Sequence, residues 1–273
     1  MKSQKIMDTY ESAIEKIREH YFSLLKDFDK EDNHNFRVEI KKLRAFIRLI
    51  NLSQPLFESK MPKPIKKIYH LSGDVRNLQL HEERTNVLCE YLLINKPTQY
   101  LQYLCEEEKS KRKKAGQTAD KISFKDFKEK LTADVYKDLS KEDKNEFLKN
   151  SISRLTQILA LPVYYDETFH DIRKVIEDIL YNYDYLEEQI NSFIPFPLSD
   201  PNFMESLTGA LGNFHDLSLA LFFLSPVYLD HADQEKEEKI LYELQTHFEL
   251  RKNDLENELL QLLTPIKYRL ESK

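Results

Sequence analysis

The sequence predicts an all-α protein, and three observations carry that expectation. Only 4 of its 273 residues are glycine, whereas Leu, Glu, Lys, Ile and Asp are abundant, so helix formers run on with few breakers between them. Most of the prolines fall at a few joints rather than inside the periodic stretches. Sliding the chain against itself by about 136 residues brings one half into register with the other, as a duplicated unit would.

Apolar spacing and these joints place helices over 4–29, 33–52, 62–93 and 97–115. After a polar break from Gly116 to Ser123, four more are expected over 124–160, 167–192, 201–230 and 232–270. Pro62 and Pro64 mark the start of the third and Pro97 that of the fourth, where a missing N–H costs little. Pro162 separates the fifth from the sixth, and Pro195, Pro197 and Pro201 separate the sixth from the seventh. The second helix has Asp32 or Asn33 available as its cap; Thr168, with Asp171 three residues on, can cap the sixth. His34 and His170 would then lie in first helical turns, where free N–H groups favour an anion.

The internal match is specific. His34-Asn-Phe-Arg37 falls on His170-Asp-Ile-Arg173, and Phe36, Ile40, Leu43, Ile47 and Ile50 fall on Ile172, Ile176, Ile179, Tyr183 and Leu186. Further on, Leu71-Ser-Gly73-Asp-Val-Arg76-Asn-Leu78 matches Leu211-Gly212-Asn-Phe-His215-Asp216-Leu217 at an offset of 139, a loop-length change of three residues. One pseudo-twofold helical bundle domain over 1–273 is expected, with repeat one over about 1–116 and repeat two over about 123–273. Neither amphipathic set buries its apolar face alone.

With 41 Lys and Arg against 47 Asp and Glu, and 41% hydrophobic residues, the composition is that of a soluble globular chain with a sizeable core. No apolar run approaches the roughly 20 residues of a membrane span. The start, MKSQKIMDTYESAIEK, lacks the apolar core of a signal peptide, so a cytoplasmic location and no membrane partner are expected. Cys89 and Cys105 are too few for a disulfide framework and read as buried thiols. No metal-ligand spacing, phosphate-binding glycine loop or nucleophile motif occurs, so no catalytic residue, metal or cofactor is assigned.

Against that acidic background, Asn33 to Asn51 reads NHNFRVEIKKLRAFIRLIN. Phe36, Ile40, Leu43, Ile47 and Ile50 form one stripe of a helix; His34, Arg37, Lys41, Arg44 and Arg48 form another, about 120° around the axis. From His34 to Arg48 the second stripe spans about 21 Å, longer than one phosphate or carboxylate requires and suited to a linear polyanion. A solvated face paired with neighbouring acids is the plainer reading of such a row, yet only Glu39 interrupts it.

These residues resemble a known family, the CHAD domain, or conserved histidine α-helical domain. His34-Asn-Phe-Arg37-Val-Glu-Ile-Lys41-Lys42-Leu-Arg44, with Arg48, resembles the family's H-x-x-R-V-x-x-[RK]-[RK]-x-R pattern, and Leu71 to Leu78 its L-G-x-x-R-D-L element. His170-Asp-Ile-Arg173-Lys174 and Leu211-Gly-Asn-Phe-His215-Asp216-Leu217 resemble the same elements in a second repeat. The resemblance implies a duplicated helical domain that binds inorganic polyphosphate along a basic central surface. In that family the domain is sometimes joined to a triphosphatase of the CYTH type; no E-x-E-x-K strand motif stands near the start here, and a stand-alone domain is expected.

This sequence departs from the pattern in its second repeat, where Glu177, Asp178, Leu180 and Asp184 stand in place of Lys41, Lys42, Arg44 and Arg48. Asn77 also replaces the family's usual aspartate. The expected ligand-binding set is His34, Arg37, Lys41, Lys42, Arg44, Arg48, Arg76, His170, Arg173, Lys174 and His215, with Lys111 and Arg112 from the KSKRKK run at the end of the fourth helix. The expected function is non-enzymatic polyphosphate binding, with association to polyphosphate granules as a further expectation. The alternatives are a helical scaffold with a decayed anion site and a metal-dependent phosphohydrolase using His34 or His170. Nucleic acid is disfavoured by a pI of about 5.8 and by the lack of an aromatic platform among the cations.

Overall fold

In the computed structural model, residues 1–50, 61–119, 122–132, 138–229 and 237–272 are described. Their regular structure is all helix, with no strand among them. The helices are α1 (Ser3–Asp27), α2 (Lys30–Ile50), α3 (Lys63–Leu92), α4 (Thr98–Ala119), α5 (Phe124–Thr132), α6 (Lys141–Leu159), α7 (Asp166–Tyr181), α8 (Tyr183–Phe193), α9 (Pro201–Phe223), the short α10 (Pro226–Leu229) and α11 (Glu238–Glu271).

Each helix contributes an apolar stripe to one continuous core. On α2, Phe36, Ile40, Leu43 and Ile47 are buried; on α7 the counterparts of the first three, Ile172, Ile176 and Ile179, are fully buried, while Tyr183, the counterpart of Ile47, is half-buried on α8. The two sets pack in the same order: α1 on α2, α2 on α3 and α3 on α4, then α6 on α7, α7 on α9 and α9 on α11. Between the sets, α2 lies against α7 and α3 against α9. That places the two His-x-x-Arg helices side by side.

Several boundaries differ from the sequence expectation, each for a local reason. The α2 helix begins at Lys30 because Asp29, not Asp32 or Asn33, accepts the free N–H groups of Glu31 (2.8 Å) and Asp32 (3.3 Å). The expected 124–160 helix is divided, and α6 restarts at a capping box: Ser140 Oγ accepts from the Asp143 N–H (3.0 Å), and the Asp143 carboxylate accepts from the Ser140 N–H (2.8 Å). The expected 167–192 helix is broken at Asn182, a buried residue at φ −105° and ψ 9°. Its Nδ2 donates to the carbonyl of Ala45 on α2 (2.9 Å) and to that of Asp178 (2.8 Å). The α4 helix runs on through Gly116 to Ala119. Part of the expected 232–270 helix, residues 232–236, lies outside the described residues.

Two polar clusters tie the ends of the bundle together. Glu237, just before α11, accepts from the N–H groups of Gln99 (2.9 Å) and Tyr100 (3.0 Å) and so caps α4 from the far end of the chain. Tyr100 Oη donates to the Phe223 carbonyl (3.1 Å) and accepts from His81 Nε2 (2.6 Å), and burial holds that imidazole down to about pKa 3. Of the two thiols, Cys89 is buried as expected, whereas Cys105 is only half-buried.

Candidate polyanion-binding site

Where α2 and α7 run side by side, with α3 and α9 beyond them, a cleft of about 650 Å³ opens. Arginine and lysine supply eight of its lining side chains, Arg37, Lys41, Arg44, Arg48, Arg76, Arg154, Arg173 and Lys174, against three carboxylates, Glu177, Asp178 and Asp216. With neutral histidines the lining carries +5, in a chain whose net charge is −6. Concave walls of one sign focus the field, so this is where an anion is drawn.

Ten of the expected residues come together here: His34, Arg37, Lys41, Arg44, Arg48, Arg76, His170, Arg173, Lys174 and His215. Three do not. Lys42 pairs with Glu39 (2.8 Å) and faces a depression between α1 and α2. Lys111 pairs with Asp74 (3.0 Å), and Arg112 is held by Glu108 (2.8 Å from Nε) and the Asp27 carbonyl. Asp184, expected opposite the Arg48 position, is exposed and lies beyond the break at Asn182, away from the cleft lining. Asp178 takes that place and pairs with Arg48.

The histidines also sit differently from the expectation. His34 is the fifth residue of α2 and His170 the fifth of α7, so neither lies in the first turn. The N-termini themselves already carry Asp29, Glu31 and Asp32, and Asp166 and Glu167. An incoming anion therefore meets side chains rather than free helix N–H groups. His170 and His215 stack with ring centroids 5.3 Å apart, and His170 Nδ1 is buried without a hydrogen-bond partner. Burial, then Lys174, His215 and Arg173, bring the His170 imidazole down to about pKa 4. Burial also lowers His34, helped by Arg76, Lys41 and Arg37, and lowers His215, helped by Arg173 and Lys41 and opposed by Asp216. A phosphate settling among these rings would offset that repulsion.

The repeated Arg–Gly pair has a packing role visible in both halves. Arg37 Nη1 donates to the Tyr69 carbonyl (2.7 Å), and its guanidinium lies over the Tyr69 ring (4.5 Å) and against the backbone of Gly73. A Cβ on Gly73 would sit 2.6 Å from Arg37 Nη1; on Gly212 it would sit 3.0 Å from Arg173 Nη1. Each glycine thus lets an arginine, from α2 onto α3 and from α7 onto α9, lie flat against its helix.

Arg154, Tyr69 and Tyr181 also line the cleft and were not anticipated. Arg154 lies on α6, outside either motif, and no local pattern singles it out. Tyr69 lies one turn before Gly73, and both Arg37 and Arg44 lie over its ring at 4.5 Å. Its face is therefore covered by guanidinium groups. Glu177 is tied twice, by Lys41 Nζ (3.2 Å) and Arg173 Nε (2.9 Å).

Comparison with known proteins fits this geometry. The family model for the CHAD domain matches residues 9–192. The chain belongs to the CHAD domain family. Among solved structures it resembles the crystal structure of the CHAD domain from the plant Ricinus communis, with a TM-score of 0.72 and 14% sequence identity over 97% of this chain and 91% of that one. No match is found among curated proteins.

Proposed function

We propose that this protein binds inorganic polyphosphate in the α2–α7 cleft and does so without turning it over. The observation that carries the reading is the row of cations on α2, from Arg37 to Arg48, brought face to face with Arg173 and Lys174 of α7 in a lining of net charge +5. Guanidinium groups bond phosphate oxygens in pairs and ammonium groups follow as mobile charges, so affinity accumulates over many modest contacts. Membership of the CHAD family, which is linked to polyphosphate binding in general, supports the same reading. The covered face of Tyr69 leaves that ring unavailable for stacking a nucleobase, which favours polyphosphate over nucleic acid. Among the described residues no helix is long and apolar enough to cross a membrane, and we place the protein in the cytoplasm, on polyphosphate granules.

The test is a binding titration with long-chain polyphosphate, RNA and DNA at matched salt, alongside an assay for phosphate release with divalent metal added. Tight polyphosphate binding, weaker nucleic-acid binding and no release are expected. Metal-dependent release by the pure protein would make it a phosphohydrolase instead, and absent binding at low salt would leave it a scaffold.

A further inference from the structure

The cations of the cleft are not equally available. Glu177 accepts from Lys41 and from Arg173, and Asp178 from Arg48, so two α7 carboxylates already occupy positions beside the α2 row. Both carboxylates are largely withdrawn from water, with side chains 12% and 16% exposed. A phosphate that took over Lys41 or Arg48 would leave a half-buried carboxylate without its partner and beside a second negative charge. Around His34, Arg76, His170 and His215 the situation differs: the lining carboxylate there, Asp216, pairs with Arg84 (2.8 Å), which lies outside the cleft lining. Arg76 is oriented by the Lys30 carbonyl (3.5 Å), and the stacked rings of His170 and His215 face inward there. Lys174 pairs with Asp171, an exposed i,i+3 contact of small worth.

We propose that Glu177 and Asp178 are specificity-determining residues that divide the cleft into an open end, around His34, Arg76, His170 and His215, and a guarded end, around Lys41, Arg48 and Arg154. This rests on the polyanion reading above. A short phosphate chain occupies the open end and leaves the carboxylate pairs intact. A long chain, already anchored at the open end, presents its next phosphates to the guarded end at high effective concentration and displaces the carboxylates there. The carboxylates thereby act as built-in competitors that reject short anions from the α2 row, which is a discrimination by repulsion as much as by attraction.

The test compares tripolyphosphate with long-chain polyphosphate on wild type, on the isosteric Glu177→Gln/Asp178→Asn double variant and on Asp178→Asn alone. The single variant alters only the pair with Arg48, so it keeps the comparison open if the double variant does not fold. Titrations belong at about 0.15 M salt, where fields decay over about 8 Å and remote charge effects are small. Affinity for the long chain should rise at least tenfold in the double variant and severalfold in the single one, while affinity for tripolyphosphate should change less than threefold in the single variant, which leaves the Glu177–Arg173 pair intact. An equal gain for both ligands would overturn the division, since the carboxylates would then act only through their general field. No gain for either would place them off the ligand path. If wild type binds neither ligand, the polyanion reading fails first, an outcome distinct from both.

Discussion

Arg37 and Arg173 show how one side chain can serve the fold and the charge of the cleft together. Each guanidinium lies against a glycine of the neighbouring helix, so Gly73→Ala should push Arg37 off the Tyr69 carbonyl and leave the protein about 1 kcal/mol less stable than Gly116→Ala, which makes the same gain in helix propensity without that displacement. Denaturant unfolding measures this, and Gly116→Ala, where a Cβ meets nothing within 4 Å, is the control. The histidines make a second prediction. Their imidazoles titrate below the usual range because burial, and then nearby cations, oppose a further positive charge, with Lys174 and Arg173 against His170 and Arg76 against His34. A bound polyanion favours the protonated rings, so the bound state takes up protons. Affinity should therefore rise as pH falls below 7. Asp178, which burial raises against the pull of Arg48, moves the same way because its negative charge is lost sooner. Calorimetry in two buffers of different ionisation heat should detect this proton uptake, and His170→Gln with His215→Gln should reduce it.

The interface of α2 with α7 depends on a residue whose role no pattern announces. Asn182 interrupts the expected 167–192 helix and sends its amide to the Ala45 carbonyl of α2, close to the Arg48–Asp178 pair. Asn182→Ala should cost about 1–2 kcal/mol in denaturant unfolding by removing a buried hydrogen bond between helices. The same break explains why Asp184 was expected in the cleft and is found outside it: a 136-residue offset carries register only while both helices run unbroken. The apolar stripes were legible because periodicity is a property of the local sequence, and so were His34, Arg44 and Arg48 on α2 and His170, Arg173 and Lys174 on α7. Arg154 was not, because its place depends on how α6 packs on α7. The cap of α2 is ambiguous in the sequence because Asp29, Asp32 and Asn33 all suit the role; in the fold Asp32 accepts from Ser23 Oγ (2.7 Å) and Asn33 donates to the Ser72 carbonyl (2.9 Å), which leaves Asp29 to cap.

At the scale of the whole molecule, a chain of net charge −6 carries a cleft lined at +5, so the rest of the molecule is net acidic and the cleft concentrates the positive charge. Displacement of counterions by several successive contacts leads to a steep salt dependence, about 0.7 logarithmic units of affinity lost per tenfold rise in salt for each phosphate engaged on a single-stranded polyanion. The decisive measurement is the slope of log affinity against log salt for long-chain polyphosphate, on wild type and on Arg44→Gln/Arg48→Gln/Arg76→Gln, which leaves the packing residues Arg37 and Arg173 intact. Wild type should give a slope of about −3 to −4, as roughly five contacts require, and the folded triple variant one about 2 units shallower with most affinity lost. A wild-type slope near zero, or a folded variant that binds as wild type does, would contradict a polyanion site in this cleft.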